Sequence, residues 1–267
     1  MKNPRKTKTG QVLLNLGCGG VFSPEWNNID LYRSKEVFYH NLENGIPFSD
    51  NCSDVVYSSH VLEHFSREKG NFFIKEIFRV LKPGGMVRLV LPDLETIAAE
   101  YLKNIVNFRH EPSERNWQRY HWSVLELYDQ TVREQSGGEM LKALRAGDVD
   151  WEYILSRAGD EFYDFYPWNK VQAKALKTRL SLWQRLFNRL KSVFRSKDPK
   201  KIGELHRWMY DEVSLTHMLE NCGFVEIFRM DWNESRIAGF EKYGLDASKN
   251  RSKQRKPDSF YLEAKKP

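Results

Sequence analysis

Short apolar runs alternate with a helical pattern over the first hundred residues. Each run has four to six residues, and the first and last runs end at Gly17 and Pro92, which is typical of buried strands. Ile74, Ile77, Phe78 and Leu81 share one helical face, so their spacing predicts a helix from about Arg67 to Leu81. The predicted strands are Val12–Leu16, Asn28–Leu31, Val37–His40, Asp54–Ser58 and Met86–Leu91.

Turn chemistry marks the ends of these elements. Lys82-Pro83-Gly84-Gly85 should end the helix, because glycine favours the position after the last turn and proline cannot continue a helix. A second helix is predicted from Leu94 to about Ile105. Strands that alternate with helices in this way predict a mostly parallel sheet covered by helices.

The alternation stops near Phe108, and helical patterning alone continues to about residue 203. Beyond this stretch, Asp211 can cap a helix that ends at Cys222-Gly223. Two further strands, Phe224–Met230 and Ser259–Ala264, are predicted to be antiparallel neighbours at the sheet edge. We therefore expect a single domain over residues 1–267, with a core at about 10–107 and 204–267 and a helical insertion, or lid, at about 108–203.

Composition excludes several classes of protein. Aromatic residues make up 13% of the chain, which is too many for a disordered protein. The three cysteines lack CxxC spacing and predict neither a disulfide framework nor a zinc site. The sequence has no run of eighteen apolar residues and no apolar signal sequence at its N-terminus, so we expect a cytoplasmic protein.

The net charge of +6 comes from one segment. Residues 171–201 contain ten Lys or Arg and one acid, a net of +9, whereas the rest of the chain has 32 basic and 35 acidic residues. Nucleic-acid binding is therefore not expected, because the remainder is slightly acidic and carries no RNA-binding motif.

An apolar stripe runs through the same basic segment. Its members recur every three or four residues and are Leu180, Trp183, Phe187, Leu190 and Phe194. This pattern is typical of a helix that contacts anionic lipid, and equally of a helix that packs its stripe against its own domain. Of the two interpretations, packing of the stripe on the domain is preferred, and peripheral contact with an anionic membrane through residues 177–197, at the inner face, is the alternative.

A glycine-rich loop, Asn15-Leu16-Gly17-Cys18-Gly19-Gly20, directly follows the first strand. Glycines there allow sharp turns and close approach of a ligand, at the strand end where open α/β sheets bind ligands. A dinucleotide fingerprint is excluded, since its third glycine position is Phe22 and the candidate acid, Asp30, lies only thirteen residues after Gly17. A P-loop is also excluded, because no Gly-Lys-Ser/Thr follows.

Two polar residues end the next two strands. Asp30 ends the second, where a carboxylate can accept hydrogen bonds from two ribose hydroxyls, or simply form a turn. Asn41 ends the third, where its amide can read an adenine edge or act as a turn residue.

Six blocks in order resemble the class I S-adenosylmethionine-dependent methyltransferases, most closely the type-11 group. They are Leu13–Gly20, Asn28–Leu31, Gly45–Phe48, Asp54–Tyr57, His60–Phe65 and Val80–Gly85. The resemblance covers about residues 11–107 and 204–267. It implies an α/β, Rossmann-like fold with a seven-stranded, mostly parallel sheet whose last strand is antiparallel.

The resemblance also implies S-adenosylmethionine as the cofactor, with the glycine loop against its methionine part and Asp30 on its ribose. Two departures are visible: Asn15 replaces the acid that the family has in its first strand, and the stretch from Gly20 to Asp30 is too short for the usual helix. The expected cofactor contacts are Asn15, Gly17, Cys18, Gly19, Asp30, Leu31, Asn41, Leu42 and Ser59.

Methyl transfer to a hydroxyl needs a base near the strand ends. The catalytic candidates are His60, Asp93 and His206. His60 could instead contact the substrate, and Asp93 could instead cap the following helix. His206 could instead be a buried structural histidine. His60-x-x-Glu63-His64 also resembles the metal-holding block of some quinone-pathway methyltransferases, although His60 stands where that block is usually acidic. We expect no metal, and interpret Glu63 and His64 as capping the next helix and shaping the pocket.

The acceptor is expected to be a small molecule or glycan, most specifically a sugar or glycoconjugate hydroxyl. This rests on a resemblance to methyltransferases of surface-polysaccharide pathways and on the aromatic-rich insertion. A metal-assisted small-molecule or quinone-type methyltransferase, and a cofactor-binding protein without catalysis, are the alternatives.

Overall fold

The computed structural model describes residues 3–159, 204–248 and 251–267. These residues fall into two compact units. The first, the sheet unit, runs to Leu94 and resumes at Arg207. The second, the helical unit, begins at Glu95, ends at His206 and includes Arg255–Pro257. The predicted lid at 108–203 therefore lies in the helical unit as far as it is described, and the predicted membrane segment 177–197 lies outside the described residues.

Seven strands form one sheet within the described part of the chain. Its order is β3-β2-β1-β4-β5-β7-β6, and only the pairs that involve β7 are antiparallel. The predicted Rossmann-like sheet with an antiparallel last strand is confirmed. The strands are β1 Leu13–Leu16, β2 Asn27–Asp30, β3 Val37–Tyr39, β4 Ser53–Ser59, β5 Leu81–Pro92, β6 Val225–Met230 and β7 Ser259–Lys265.

Strand β5 starts five residues earlier than its sequence pattern predicts. Leu81 already pairs with Ser53 of β4, and the register then shifts so that Met86 pairs with Val55. Lys82-Pro83-Gly84-Gly85 therefore form a bulge-like irregularity inside strand β5. Their turn-forming character alone does not reveal that the strand begins before them.

The helices of the sheet unit are α1 (Arg67–Val80) and α6 (Glu212–Cys222). Ser66 accepts a hydrogen bond from the backbone N–H of Lys69 and caps α1. Asp211 forms a capping box with Ser214 at the start of α6, and Gly223 ends α6 in the left-handed conformation, both as predicted. α1 and α6 pack their apolar faces on one side of the sheet through Phe73, Ile74, Ile77, Leu215 and Leu219.

The other face of the sheet is covered differently. No helix occupies the described stretch between β1 and β2, as its short length predicts. Trp26 fills this space and is fully buried, with edge-to-face contacts to Tyr57, Phe240 and Tyr243. A loop region at 231–248 therefore takes the place of a covering helix.

Arg88 pins that loop region to the sheet. Its side chain is fully buried on β5, and its guanidinium donates to Asp246 and Glu263 at 2.7 Å each. The same guanidinium donates to the backbone oxygens of Asp231 and Glu234. Its hydrogen bonds therefore connect the loop region to strands β5 and β7.

The helical unit contains α2 (Leu94–His110), α3 (Glu114–Val132), α4 (Gly138–Ala146) and α5 (Trp151–Ala158). Its core is formed by residues of α3, α4 and α5, among them Trp122, Leu144 and Ile154. Gly137-Gly138, Gly147 and Gly159 all fall at helix ends. None of the helices in the described ranges is long and apolar enough to cross a membrane.

Candidate functional site

The glycine loop folds back over the carboxyl end of β1. The backbone N–H groups of Gly17 and Cys18 both donate to the carbonyl of Ile29 in β2, at 2.8 and 3.1 Å. Gly17 and Gly19 have φ values of 67° and 51°, in the left-handed region that favours glycine. The turn therefore depends on glycine at both positions.

The two glycines differ in what lies beside them. A methyl group at Gly17 would come within 2.2 Å of a methyl carbon of Val61, so the protein itself fills that space. At Gly19 and Gly20 the same methyl group would meet no described atom within 4 Å. The open surface for a ligand therefore lies at Gly19-Gly20. At position 17 a side chain would collide with Val61, and this reason for the glycine is not visible in the sequence.

Asp30 and Tyr32 hold this open loop from the end of β2. The Asp30 carboxylate accepts the N–H of Gly19 at 2.8 Å and that of Leu31 at 2.6 Å. The Tyr32 hydroxyl donates to the carbonyl of Gly19 at 2.5 Å. An ionised carboxylate has about four acceptor positions, so Asp30 retains capacity for a ribose. Sequence analysis missed Tyr32, although its place two residues after Asp30 was visible.

The Cys18 thiol and the Tyr32 hydroxyl both stay protonated at neutral pH. Burial, reinforced by the charge of Asp30, raises the pKa of the Cys18 thiol to about 12. Burial and the nearby Cys18 raise the pKa of Tyr32 to about 12. Cys18 therefore lines the loop as a neutral thiol rather than as a nucleophile, because the thiolate is the reactive form.

Asn15 offers a buried acceptor beside the loop. Its side chain is 1% exposed and donates to the carbonyl of Val21 and to Asn28. Its Oδ1 has no hydrogen-bond partner among the described residues. A buried acceptor costs free energy unless something donates to it. The open Gly19-Gly20 surface, the Asp30 carboxylate and this oxygen together fit a ligand with ribose and amino groups, as S-adenosylmethionine has.

The remaining expected contacts have mixed environments. Asn41 caps a single 3₁₀ turn, since its Oδ1 accepts the N–H of Glu43 at 2.9 Å. This contact confirms the interpretation of Asn41 as a turn residue. It uses only the amide oxygen, so the N–H₂ group can still donate to a ligand. Leu42 packs in the main core, Leu31 is exposed and Ser59 is half-buried at the end of β4. Their roles at the cofactor stay predictions.

His60 follows β4 and lies between two polar side chains. Its Nδ1 is 3.2 Å from a carboxylate oxygen of Glu63, and its Nε2 is 2.9 Å from the hydroxyl oxygen of Ser259. Glu63 is fully buried, and Ser259 is 9% exposed. The neighbouring residue, Val61, packs on Gly17, so the turn that carries His60 lies against the glycine loop. We call His60, Glu63 and Ser259 the His60 array.

Two features of the His60 array bear on its chemistry. His60 has a φ of 55°, which is uncommon for a residue with a side chain and is a conformation concentrated at functional sites. Both ring nitrogens of His60 are within hydrogen-bond distance of protein groups. These contacts hold the imidazole in one orientation at the end of β4.

Asp93 and His206 differ from His60. The buried Asp93 carboxylate accepts from the Arg229 guanidinium at 2.8 Å, and its catalytic role stays a prediction. His206 is buried in the helical unit, where its Nε2 is 3.1 Å from the amide nitrogen of Gln130. These contacts match the structural alternative for His206, and its catalytic role stays a prediction.

Residues 27–89, from β2 into β5, match a protein-family model described as a methyltransferase domain. The chain has no match among curated proteins. It is similar to the structure of a SAM-dependent methyltransferase from Archaeoglobus fulgidus, with 13% identity, coverage of 96% of this chain and 86% of that one, and a TM-score of 0.41. It is also similar to Haemonchus contortus phosphoethanolamine N-methyltransferase 2 in complex with S-adenosyl-L-methionine, with 14% identity, coverage of 99% and 50%, and a TM-score of 0.38.

The order and direction of the strands match the Rossmann-like fold expected from the sequence. Together with the match of residues 27–89 to a methyltransferase-domain model, this fold indicates an S-adenosylmethionine-dependent methyltransferase with S-adenosylmethionine as its cofactor.

Proposed function

We propose that this methyltransferase methylates a hydroxyl group, with His60 as general base. The observation that carries the proposal is the imidazole of His60, held beside the fully buried carboxylate of Glu63 at 3.2 Å and next to the glycine loop. A hydroxyl must lose its proton as it is methylated, and a histidine oriented by a carboxylate is suited to accept that proton.

Different residues of the chain would bind the cofactor, orient the acceptor and remove its proton. When bound, S-adenosylmethionine supplies an electrophilic methyl group on a positively charged sulfur. Asp30 and Asn15 would orient the ribose and amino ends, and the open face at Gly19-Gly20 lets the ligand lie against the backbone. The protein then has to hold the acceptor oxygen in line and remove its proton, and Glu63 would stabilise the imidazolium that forms on His60.

We propose a sugar or glycoconjugate as the acceptor. The sequence resemblance to methyltransferases of surface-polysaccharide pathways supports this class. The helical unit adds a cluster of half-exposed and exposed aromatic rings, in which Phe108, Trp117 and Tyr120 contact one another at centroid distances of 5.6 to 6.2 Å. Aromatic faces of this kind can stack on sugar rings.

The test combines an acceptor panel with His60→Gln. We expect S-adenosylhomocysteine to form with methyl glycosides and not with matched amines or carboxylates. His60→Gln should lower kcat by about 10²- to 10⁴-fold, the usual contribution of a general base, with unchanged cofactor affinity. His217→Gln, which removes an exposed imidazole on α6, is the control. Amine methylation, or full activity of His60→Gln, would contradict the proposal.

We also propose peripheral contact with anionic membrane through residues 177–197, which would hold the enzyme near a lipid-linked acceptor. Its support is the basic, apolar-striped sequence alone. Co-sedimentation with phosphatidylserine vesicles should occur at low salt and fall at high salt, because surface charges are screened over about 8 Å at physiological ionic strength. Absence of binding at low salt would refute this contact.

A further inference from the structure

Ser259 contacts His60 across 199 positions of sequence. It is the first residue of β7 and pairs with Pro92, the last residue of β5. His60 reaches the same edge of the sheet from β4, where its backbone N–H donates to the carbonyl of Val90. The register of the antiparallel strand thus brings a hydroxyl to the proposed base.

The buried carboxylate of Glu63 favours one form of the imidazole. Nδ1 of His60 lies 3.2 Å from a carboxylate oxygen of Glu63, so the tautomer with its proton on Nδ1 places that proton on the side of the carboxylate. In that tautomer Nε2 is an acceptor, and the hydroxyl of Ser259, whose oxygen is 2.9 Å away, can donate to it. In this arrangement the Nε2 lone pair of His60, which would otherwise take the proton of the acceptor directly, accepts the hydrogen bond of Ser259.

A second acceptor lets the same groups hold one more proton. The Ser259 hydroxyl oxygen is also 3.3 Å from Oδ1 of Asp258. When His60 becomes an imidazolium, its Nε2–H can donate to Ser259, and the Ser259 hydroxyl can rotate to donate to Asp258. Both protonation states are hydrogen-bonded, and only one hydroxyl hydrogen has to move between them.

We propose that Ser259 is a catalytic residue that relays the acceptor's proton to His60. The acceptor oxygen bonds to the methyl carbon while its proton passes to Ser259 Oγ and the proton of Ser259 passes to His60 Nε2. The electron pair of the breaking carbon–sulfur bond stays on sulfur, and Glu63 stabilises the charge on His60. This relay rests on the proposed function, because it takes His60 as the base of a hydroxyl methylation.

The first measurement needs no acceptor. In protein labelled with ¹⁵N-histidine, long-range ¹H–¹⁵N NMR at pH 8 should show His60 as the Nδ1–H tautomer, with the His60 signals assigned from their loss in His60→Gln. Ser259→Ala should move the Nε2 resonance, because Nε2 loses its donor. A protonated Nε2 in the neutral ring, or an Nε2 resonance unaffected by Ser259→Ala, would overturn the relay.

The second measurement uses single-turnover methylation of methyl glycosides. Ser259→Ala should lower the rate by about 10- to 100-fold, within the range of a lost proton-transfer group, with cofactor affinity unchanged. Ser259→Thr keeps a hydroxyl and should recover most of the rate. Ser53→Ala is the matched control, since Ser53 is a buried serine at the opposite end of β4.

The outcomes separate the two proposals. A wild-type rate in Ser259→Ala, together with an inactive His60→Gln, refutes the relay and leaves the base in place. A rate loss that Ser259→Thr does not restore assigns Ser259 a packing role and also refutes the relay. Full activity of His60→Gln refutes the proposed base itself.

Discussion

The sheet unit buries two polar clusters that differ in what their protons can do. The Arg88 cluster consists of Arg88, Asp246 and Glu263, and the His60 array consists of His60, Glu63 and Ser259. In the first, burial alone would lower the pKa of Arg88, but the two carboxylates raise it above its usual value, so the charge is permanent. In the second, an imidazole lies between a carboxylate and a hydroxyl, the arrangement from which we propose proton transfer.

The difference shows that a buried charge is not by itself a sign of catalysis. Arg88 lies between the rings of Phe240 and Tyr261, each at 5.0 Å, and its donors meet carboxylates and backbone oxygens. Such a closed set of contacts holds a loop to a sheet. The His60 array lies at the strand end next to the glycine loop, and it contains an imidazole, the side chain most often used for general acid–base catalysis.

Arg88→Met should have the largest effect on stability. It leaves Asp246 and Glu263 buried without their cation, and breaking a buried ion pair in this way costs about 3–5 kcal/mol of the free energy of unfolding. Urea denaturation measures this loss. Lys142→Met, which removes an exposed pair with Glu139, should leave the unfolding midpoint unchanged. An equally stable Arg88→Met protein would show that the cluster is not a structural anchor.

Two matched glutamate substitutions separate the clusters by function. Glu263→Gln should reduce the free energy of unfolding by about 1–3 kcal/mol, because Glu263 accepts from Arg88, Ser235 and Arg236, and kcat should be unchanged. Glu63→Gln should lower kcat at least tenfold, since His60 loses its orienting charge, while stability is retained. The comparison fails if both variants lose stability and activity alike.

Asp30→Ala should weaken S-adenosylmethionine binding by about 1–3 kcal/mol, because hydrogen bonds to a charged carboxylate are lost. Titration calorimetry measures the affinity directly. Because Asp30 also holds the N–H of Gly19, Asp30→Asn is the informative companion: it keeps one acceptor oxygen and should lose less affinity. Unchanged affinity in Asp30→Ala would remove Asp30 from the cofactor site.

The smallest expected effect concerns the glycine loop. Gly19→Ala adds a methyl group into open space but strains a left-handed backbone, which costs about 1–3 kcal/mol. Gly17→Ala adds the same strain and also collides with Val61, so it should destabilise the fold more. Thermal unfolding with and without S-adenosylmethionine distinguishes the two: the Gly19 variant should lose ligand stabilisation, and the Gly17 variant should lose intrinsic stability. Equal unfolding curves would refute the distinction.

The sequence by itself determined the local features of this protein. The apolar runs predicted the strands, the spacing of Ile74, Ile77 and Phe78 predicted α1, and the glycines marked the loop and the helix breaks. These signals are local because propensity, capping and periodicity act within one or two turns of chain. The motif blocks added the fold and the cofactor.

Only the tertiary structure decided which distant side chains meet. Ser259 reaches His60 because β7 inserts antiparallel between β5 and β6, and Val61 explains Gly17 because β4 lies beside β1. Likewise, Arg88 finds Asp246 across 158 positions of sequence. Such pairings depend on strand order and register, which bring together residues that carry no signal of each other in the chain. The pairing of strands thus creates the two buried clusters from residues that the sequence shows only one by one.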